Sequence, residues 1–523
     1  MRFPLVFAFA LTPIVAAAQA PALAGTYIAG PFVIAFEADT VRVSRAGQVG
    51  VIGRVEMKGD TVTFRDASGP IACSSSIIGR YLWKIKADTL SFTLIMDQCG
   101  GRAGAFPGRA WVRQASDARA FTGLTLIDGT GSPARSGMTI LIGDGRITAV
   151  FPDGSQPIPP TVPIEDLSGK YVIPGLIDTH VHLATDPSHD DTRVRVEPRL
   201  RRTLLGGVTS VRDMAGDARA LADLSRATKV GDLVGPTIYY SALFAGPNFF
   251  ADPRVIATSR GEPIGQAPWA RAVTADTDWP QVIAEARGTG ARGIKLYADL
   301  GAGVLAPLVT EAHRQGLMVW AHAALLPARP HDLVNAGVDV LSHAPLIARD
   351  ADTVSTLYGE RYRVNYTNVS VNHLMLNRLI DQMLIRKTIV EPTLFVFFDR
   401  DSTSAPARWS AAITRELYRR GVPIAAGTDG IIGEEGDTLP SGPVLPHLHD
   451  ELELLVNQGG LSPQAAILAA TSTAARAIGV DSLVGTVMPG KMADLVVLRS
   501  DPLADIRNTR TIEFVVRAGK VYR

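Results

Sequence analysis

The stretch Val172-Ile173-Pro174-Gly175-Leu176-Ile177-Asp178-Thr179-His180-Val181-His182 is an apolar run that ends in two histidines. Residues two apart on a β-strand point to the same side, so His180 and His182 can bind one ion together. In a (β/α)8 barrel, the functional groups lie at the carboxyl ends of the parallel strands. The stretch therefore predicts the first strand of such a barrel, with a metal site at its end.

Strand-like and helix-like runs alternate downstream of this stretch. Strands are predicted at 171–178, 207–213, 237–243, 292–298, 318–323, 338–344, 388–396 and 422–429, and amphipathic helices at 217–229, 278–288, 304–316, 374–386 and 407–420. Eight strands separated by helices favour an α/β (β/α)8 TIM barrel over an open doubly wound sheet. The longest irregular stretches, 244–275 and 430–446, follow predicted strands, and we expect them to cover the active-site end of the barrel.

Further polar residues end the later predicted strands. They are Lys295 on strand 4, His322 on strand 5, His343 on strand 6 and Asp429 on strand 8. Neutral imidazoles together with a carboxylate suit zinc or a similar divalent ion. One such histidine alone would more often be a hydrogen-bonded structural residue, but the recurrence of the pattern at strand ends predicts a metal centre.

Composition and the amino terminus restrict the partners and the compartment. The chain has 523 residues and a formal net charge of +1, which argues against nucleic acid or an anionic membrane surface as the main partner. Residues 1–20 combine Arg2, an apolar run and small residues at 16–20, which is typical of a bacterial-type signal peptide. We therefore expect an exported protein, periplasmic or secreted, with no membrane span in the mature chain.

Residues 21–118 are predicted to form an N-terminal antiparallel β module that resembles a lipocalin-like barrel. Short strands are predicted at 32–36, 41–43, 61–64 and 89–95, with no helix of useful length. The only two cysteines, Cys73 and Cys99, favour a disulfide in an exported chain, although two buried thiols also fit the sequence. A docking or stabilising role is favoured over substrate capture, because the module shows no polar cluster suited to chemistry.

Two more β-rich segments flank the predicted barrel domain, which spans 170–483. They cover 119–169 and 484–523. Because the ends of a domain commonly lie close together, we predict that these segments form one composite small β-sandwich domain.

With these motifs in view, the chain resembles the amidohydrolase superfamily, in its imidazolonepropionase-like and prolidase-like (Xaa-Pro dipeptidase-type) subgroup. The matching sequences are 172–182, Gly207-Val208-Thr209-Ser210-Val211-Arg212-Asp213, and Gly490-Lys491-Met492-Ala493-Asp494-Leu495-Val496-Val497-Leu498. The resemblance covers about 120–523 and leaves out the N-terminal module. It implies two Zn²⁺ ions, although other divalent metals would also fit. The first would be held by His180, His182 and Asp429 and the second by His322 and His343, with carboxylated Lys295 bridging them.

The resemblance also implies a reaction, the hydrolysis of a carbon–nitrogen bond by a metal-bridged hydroxide. Asp429 would be the catalytic residue, taking the proton and passing it to the leaving amine. A free ammonium is a poor ligand, but a lysine whose pKa is lowered by burial near metals can react with CO2. The expected substrate is a small amide, such as a dipeptide or an N-acyl amino acid.

Other functions stay open at this point. The same metal centre could hydrolyse a cyclic amide, a lactone or an organophosphate, and a non-catalytic envelope binding protein is a third reading. An arginine in the pocket would favour substrates with a carboxylate, and Arg254, Arg260 and Arg271 are the candidates. Some relatives hold substrate with a tyrosine just after the strand 5 histidine, where this chain has Ala323-Ala324-Leu325. The exact substrate, the native metal and assembly into a homo-oligomer are left open.

Overall fold

The structure is a computed structural model that describes residues 23–37, 39–45, 48–86, 89–114, 118–158, 162–185, 192–352, 354–430 and 445–523. The predicted signal peptide and most of the irregular stretch 430–446 lie outside the described residues. The chain divides into two compact units, Met1–Ser116 and Asp117–Arg523. Among the described helices, none combines the length and the apolar character that a membrane crossing requires.

The described part of the first unit contains a closed antiparallel barrel of eight strands. The strands are Gly25–Ala29, Phe32–Glu37, Thr40–Arg45, Gln48–Lys58, Thr61–Ser68, Ile78–Lys86, Thr89–Met96 and Trp111–Gln114. Each strand pairs with the next, and the last pairs with the first. Every second residue points inward, which fills the interior with aromatic rings. The all-β prediction is confirmed.

One helix in this unit, Gly100–Ala105, was not predicted. It has six residues and three glycines, so it is too short and too poor in helix formers to give a periodic signal. The predicted disulfide between Cys73 and Cys99 is confirmed, with an S–S distance of 2.08 Å. It ties the residue before this helix to the loop that follows strand Thr61–Ser68.

The second unit is built around a sheet of parallel strands that lie side by side in chain order. They are Leu176–Val181, Val208–Asp213, Thr237–Ala245, Gly293–Leu296, Met318–His322, Val340–Ser342 and Ile389–Glu391. The segment 422–430 lies between the last strand and the first. Ile424 bridges Val390, and Gly430 bridges Val181, both in parallel orientation. This segment therefore brings Asp429 beside the end of the first strand.

Helices separate these strands, so the predicted mixed α/β character is confirmed. They are Arg193–Leu205, Ala218–Val230, Pro253–Thr258, Trp279–Gly288, Leu305–Arg314, Pro330–Ala336, Leu374–Arg386, Leu394–Asp401, Ala405–Arg419, Leu448–Asn457, Pro463–Ala469 and Ser472–Ile478. Their apolar faces follow the helical repeat. In Leu305–Arg314, for example, the buried residues are Leu305, Leu308, Val309 and Ala312. Packing of these faces on the sheet forms the main apolar core.

A second sheet joins the two β-rich segments that flank the parallel sheet. Its eight strands are Arg119–Leu126, Arg135–Gly143, Arg146–Pro152, Ile164–Asp166, Tyr171–Pro174, Leu495–Leu498, Ile512–Arg517 and Lys520–Tyr522. Tyr171–Pro174 pairs with Leu495–Leu498, which connects the amino-terminal part of the sheet to the carboxyl-terminal part. The sheet has its own apolar core, separate from that of the parallel sheet.

Three strand predictions were wrong in their extent. The predicted strand 422–429 is not a continuous strand, since it forms only isolated bridges at Ile424 and at the following Gly430. The predicted strand 171–178 is two strands, because Gly175 separates Tyr171–Pro174 in one sheet from Leu176–Val181 in the other. A Cβ atom on Gly175 would lie 2.1 Å from Thr209 Oγ1, so only glycine fits this close approach. The predicted strand 388–396 ends at Glu391 and is followed by helix Leu394–Asp401. A short apolar run does not distinguish a strand from a buried helix.

Candidate metal centre

The histidines and the aspartate predicted to bind metal lie at one end of the parallel sheet. His180 is near the end of the first strand and His182 follows it, while His322 ends the fifth strand and His343 follows the sixth. His180, His322 and His343 are at most 3% exposed. His182 and Asp429 are partly exposed, which leaves the site accessible from one side.

His180, His182 and Asp429 come together as three potential metal ligands. The Oδ1 atom of Asp429 lies 3.1 Å from Nε2 of His180 and 3.1 Å from Nε2 of His182. Asp429 has a φ of 55°, a left-handed conformation that is uncommon outside glycine and is often found at functional sites. Two imidazole nitrogens and a carboxylate oxygen form a donor set that suits a divalent ion such as zinc.

His322 and His343 extend this cluster. The His343 ring centroid lies 5.0 Å from that of His180 and 4.5 Å from that of His322. Nδ1 of His343 is 2.9 Å from Thr393 Oγ1. Nδ1 of His322 is buried and has no hydrogen-bond partner among the described residues. A buried imidazole nitrogen without a partner is costly, and binding a metal would satisfy it.

The electrostatic environment leaves most of these side chains in a form that can bind a metal. Burial lowers the pKa values of His322 and His343 well below the usual range, so both rings are neutral near pH 7. Burial alone would raise the pKa of Asp429, but His343 and His180 hold it well below its usual value. Burial would likewise lower the pKa of His180, yet Glu391 and Asp429 raise it. A bound divalent cation would instead lower the pKa of His180 and favour its neutral ring, because the charge of the cation would dominate the site.

Lys295 is the third of four residues in the fourth parallel strand and is fully buried. Its Nζ atom donates a hydrogen bond to Ser342 Oγ at 3.1 Å. Burial, aided by the charge of Arg212, lowers the pKa of Lys295 to about 7, although Glu391 and Asp429 act in the opposite direction. A large fraction of the side chain is therefore an uncharged amine near neutral pH, and an uncharged amine is a nucleophile.

Glu391 is a buried carboxylate behind the cluster that the sequence analysis missed. Its Oε2 atom accepts hydrogen bonds from Arg212 Nη2 at 2.7 Å and from Ser342 Oγ at 3.2 Å. Its Oε1 atom lies 3.1 Å from Nδ1 of His180. Burial opposes ionisation, but Arg212 and His180 hold the pKa of Glu391 at about 2. Glu391 thus lies against the His180 ring on the side opposite Asp429, the position from which carboxylates commonly orient metal-binding histidines.

We expect Glu391→Gln to lower the free energy of unfolding by about 3–5 kcal/mol, because it leaves the Arg212 charge buried without a counter-ion. Urea unfolding measures the change. The matched control is Glu360→Gln, which removes an ion pair with the exposed Arg363 and should cost less than about 1 kcal/mol. Equal stability of the two variants would show that Arg212 is compensated in another way.

A cavity of about 330 Å³ lies over the histidine cluster. It is lined by His182, Leu183, Thr185, Arg199, Arg254, Tyr297, His322, His343, Arg361, Tyr362, Val396, Phe397, Arg400 and Asp429. Of the three arginines considered from the sequence, Arg254 lines this cavity, whereas Arg260 and Arg271 are not among its lining residues. Arg271 instead pairs with Glu285. The cavity combines apolar walls with a few charged groups, which is the usual composition of a small-molecule site.

Arg361 is a second pocket residue that the sequence analysis missed. It lies in an irregular segment, where sequence periodicity gives no signal. Its guanidinium carbon is 4.2 Å from the ring centroid of Tyr358, and its Nε atom is buried without a hydrogen-bond partner among the described residues. Arg254, by contrast, is paired with Asp252 at 2.8 Å. Arg361 therefore has more unsatisfied capacity to bind an anionic ligand.

The remaining H-x-H pair, His447 and His449, does not join the cluster. His449 is buried, and its two ring nitrogens lie 2.9 Å from Thr509 Oγ1 and 2.9 Å from the carbonyl oxygen of Gly206. The ring of His447 stacks on Phe395, just before helix Leu448–Asn457. Residues that are two positions apart on a helix do not point at a common target, so this spacing does not favour joint binding of one ion. Both histidines instead make structural contacts.

The chain is similar to known proteins in sequence and in fold. The family model described as "Amidohydrolase family" matches residues 171–522. Ochratoxinase from Aspergillus niger is 26% identical over 456 residues, which cover 76% of this chain and 85% of that protein. Imidazolonepropionase from Mesorhizobium japonicum is 23% identical over 411 residues, covering 76% and 93% respectively. The crystal structure of a Xaa-Pro dipeptidase with bound methionine aligns with a TM-score of 0.60 at 20% identity, covering 78% of this chain and all of the other.

Proposed function

Because the chain belongs to the amidohydrolase family and is a hydrolase acting on carbon–nitrogen bonds, we propose that it cleaves the amide bond of a dipeptide or an N-acyl amino acid. The observation that carries this proposal is the position of Asp429. Its carboxylate contacts two histidine nitrogens and also lines a cavity that contains Arg361. A proton acceptor and a carboxylate-binding group therefore share one site.

We propose that the parallel sheet is a (β/α)8 barrel, in which 422–430 supplies the eighth strand between the seventh and the first. The parallel bridges from Ile424 and Gly430 support this arrangement. We further propose a barrel domain at 170–483, a composite β-sandwich domain at 119–169 and 484–523, and an N-terminal module at 21–118. The separate apolar cores of the two sheets support the first division.

We propose that two Zn²⁺ ions occupy the site. One would be held by His180, His182 and Asp429, the other by His322 and His343, and carboxylated Lys295 would bridge them. In the carboxylation, the uncharged Nζ of Lys295 forms a bond to the carbon of CO2 and releases one proton, which leaves a carbamate anion. The pKa of about 7 for Lys295 supports this step. Bound divalent ions would supply Lewis acidity and lower the pKa of water at the site.

The chain's own groups would then act as follows. Asp429 takes a proton from the attacking water and delivers it to the leaving nitrogen, because it is ionised and open to the cavity. Glu391 orients His180, and Ser342 connects Glu391 to Lys295. The apolar wall of the cavity limits the entry of bulk water and so strengthens the electrostatic interactions inside it.

Arg361 is proposed to bind the carboxylate of the substrate. We expect Arg361→Gln to raise KM about 10- to 100-fold with a smaller change in kcat, because a hydrogen bond to a charged group contributes about 1.5–3 kcal/mol. Arg363→Gln is the matched control, since Arg363 is exposed and is not among the cavity-lining residues. Steady-state kinetics with an N-acyl amino acid, and with its carboxamide analogue, measures the effect. An equal loss for the two substrates would assign the carboxylate contact to another residue.

The export of the protein is also proposed. The apolar leader in residues 1–20 and the disulfide between Cys73 and Cys99 support it, because disulfides persist in oxidising compartments. Amino-terminal sequencing of the protein recovered from the cell envelope and the medium is the direct check. A mature chain that still begins at Met1 would contradict cleavage of the leader.

A substrate screen tests the proposed function. Dipeptides and N-acyl amino acids form one set, and cyclic amides, lactones and organophosphate triesters form the other. We expect release of one amine and one acid per bond cleaved in the first set. Activity confined to the second set would assign the same centre to one of the alternative reactions.

A further inference from the structure

The first unit contains a cavity that plays no part in the proposed reaction, and we propose that it binds a small amphipathic anion with an apolar body and a single carboxylate. The volume of the cavity is about 310 Å³. That is roughly the space taken by ten molecules of liquid water, and it falls at the lower end of the range for ligand sites. A small organic molecule fits such a volume, whereas a peptide chain does not.

The cavity lies beside the aromatic rings that fill the barrel, since Phe64 and Phe106 line it. The centre of the barrel is filled by rings, with Phe64 and Tyr81 centroids 5.7 Å apart and Phe92 and Trp111 centroids 6.4 Å apart. Helix Gly100–Ala105 and the strands Thr40–Arg45, Gln48–Lys58 and Thr61–Ser68 supply most of its lining. Its apolar lining includes Phe32, Val41, Val43, Phe64, Ile71 and Phe106. The Cys73–Cys99 disulfide tethers the start of this helical wall to the loop that follows strand Thr61–Ser68.

Two arginines give the cavity its charge. The guanidinium carbons of Arg45 and Arg109 lie 5.6 Å and 5.0 Å from the ring centroid of Phe32, and both side chains line the cavity. Both residues are exposed, and the ion pairs among the described residues of this unit include neither of them. Two positive charges therefore meet at one apolar ring, and the described residues of this unit supply no ion-pair partner for either of them.

The other charged groups that line the cavity already compensate each other. Asp66 pairs with Arg102, which also pairs with Asp97 at 2.6 Å. Asp66 further accepts a hydrogen bond from the backbone of Cys73 at 2.8 Å. Asp66 and Arg102 already have partners within this unit, so Arg45 and Arg109 are the charged side chains of the cavity that can bind a ligand. A carboxylate satisfies them through charge-assisted hydrogen bonds, while an amine would be repelled.

Isothermal titration calorimetry with octanoate on the full-length chain tests the proposal, and octylamine serves as the charge-reversed probe. We expect saturable binding of one octanoate in the first unit and no saturable binding of octylamine there. The double variant Arg45→Gln/Arg109→Gln should weaken octanoate binding at least tenfold, and Val43→Phe should weaken it by filling the cavity. Arg42→Gln, an exposed arginine on the same strand that does not line the cavity, should leave the affinity unchanged.

The catalytic pocket also contains arginines, so a second experiment is needed to distinguish octanoate binding there from binding in the first unit. Arg361→Gln should leave octanoate binding in the first unit intact, because Arg361 belongs to the second unit. Loss of binding in Arg361→Gln without loss in the double variant would place the ligand in the catalytic pocket and overturn the proposal. Absence of saturable octanoate binding, or equal binding of octylamine, would overturn it as well. These outcomes do not depend on whether the chain hydrolyses amides.

Discussion

Replacing Asp429 with Asn is expected to reduce kcat for amide hydrolysis by about 10³–10⁴-fold, the upper range for a group that transfers a proton in the transition state. Asn keeps the size and one oxygen of the side chain but removes its charge and its ability to take up a proton. Asp429 contacts both His180 and His182. The substitution should therefore weaken metal retention as well as proton transfer.

The matched control for this variant is Asp399→Asn, which changes an exposed aspartate outside the cavity lining. We expect it to retain the kcat of the unmodified chain. Circular dichroism and the melting temperature of both variants separate a catalytic defect from a folding defect. If Asp429→Asn keeps kcat within tenfold while folded, then Asp429 is not the proton acceptor.

Lys295→Arg is expected to lose about as much activity as Lys295→Ala, at least 10³-fold, although arginine keeps a long side chain that carries nitrogen. The reason is that an arginine stays protonated in proteins and so does not react with CO2. A lysine that only made an ion pair would tolerate arginine. Assays with and without bicarbonate add a second readout, because the unmodified chain should lose activity when CO2 is removed and recover it on addition of bicarbonate.

Lys170→Arg is the control for this pair, since Lys170 is a partly exposed lysine that pairs with Glu513 and is not among the residues that line the cavity. It should show the full activity of the unmodified chain. Retention of activity in Lys295→Arg, or independence from bicarbonate, would contradict carboxylation and leave Lys295 with a structural role.

The sequence was sufficient to predict the histidine cluster because strand geometry is local. Residues that are two positions apart on a strand point to the same face, so the H-x-H spacing predicted that His180 and His182 act together. Parallel strands end on the same edge of a sheet, which predicted that His322, His343 and Asp429 approach them. The bounds of the strands were less predictable. The close approach of Gly175 to Thr209 depends on tertiary contacts, and it divides an apolar run between two sheets.

Glu391 and Arg361 show what sequence patterns do not reveal. Glu391 is the last residue of the short strand Ile389–Glu391. Its function depends on partners that are 179 residues away in Arg212 and 49 residues away in Ser342. Arg361 lies in an irregular segment, where no periodicity relates it to the cavity. Both residues are identified only by their neighbours in space, through a buried ion pair in one case and an unpartnered buried nitrogen in the other.

The metal content of the chain distinguishes a pair of ions bridged by Lys295 from a single ion. Elemental mass spectrometry would be applied to the protein prepared with zinc and bicarbonate, and to Lys295→Ala prepared in the same way. We expect about two ions per chain in the unmodified protein, as in other two-metal sites, and a clear loss of metal in the variant. One ion per chain in both proteins would contradict a metal pair bridged by Lys295.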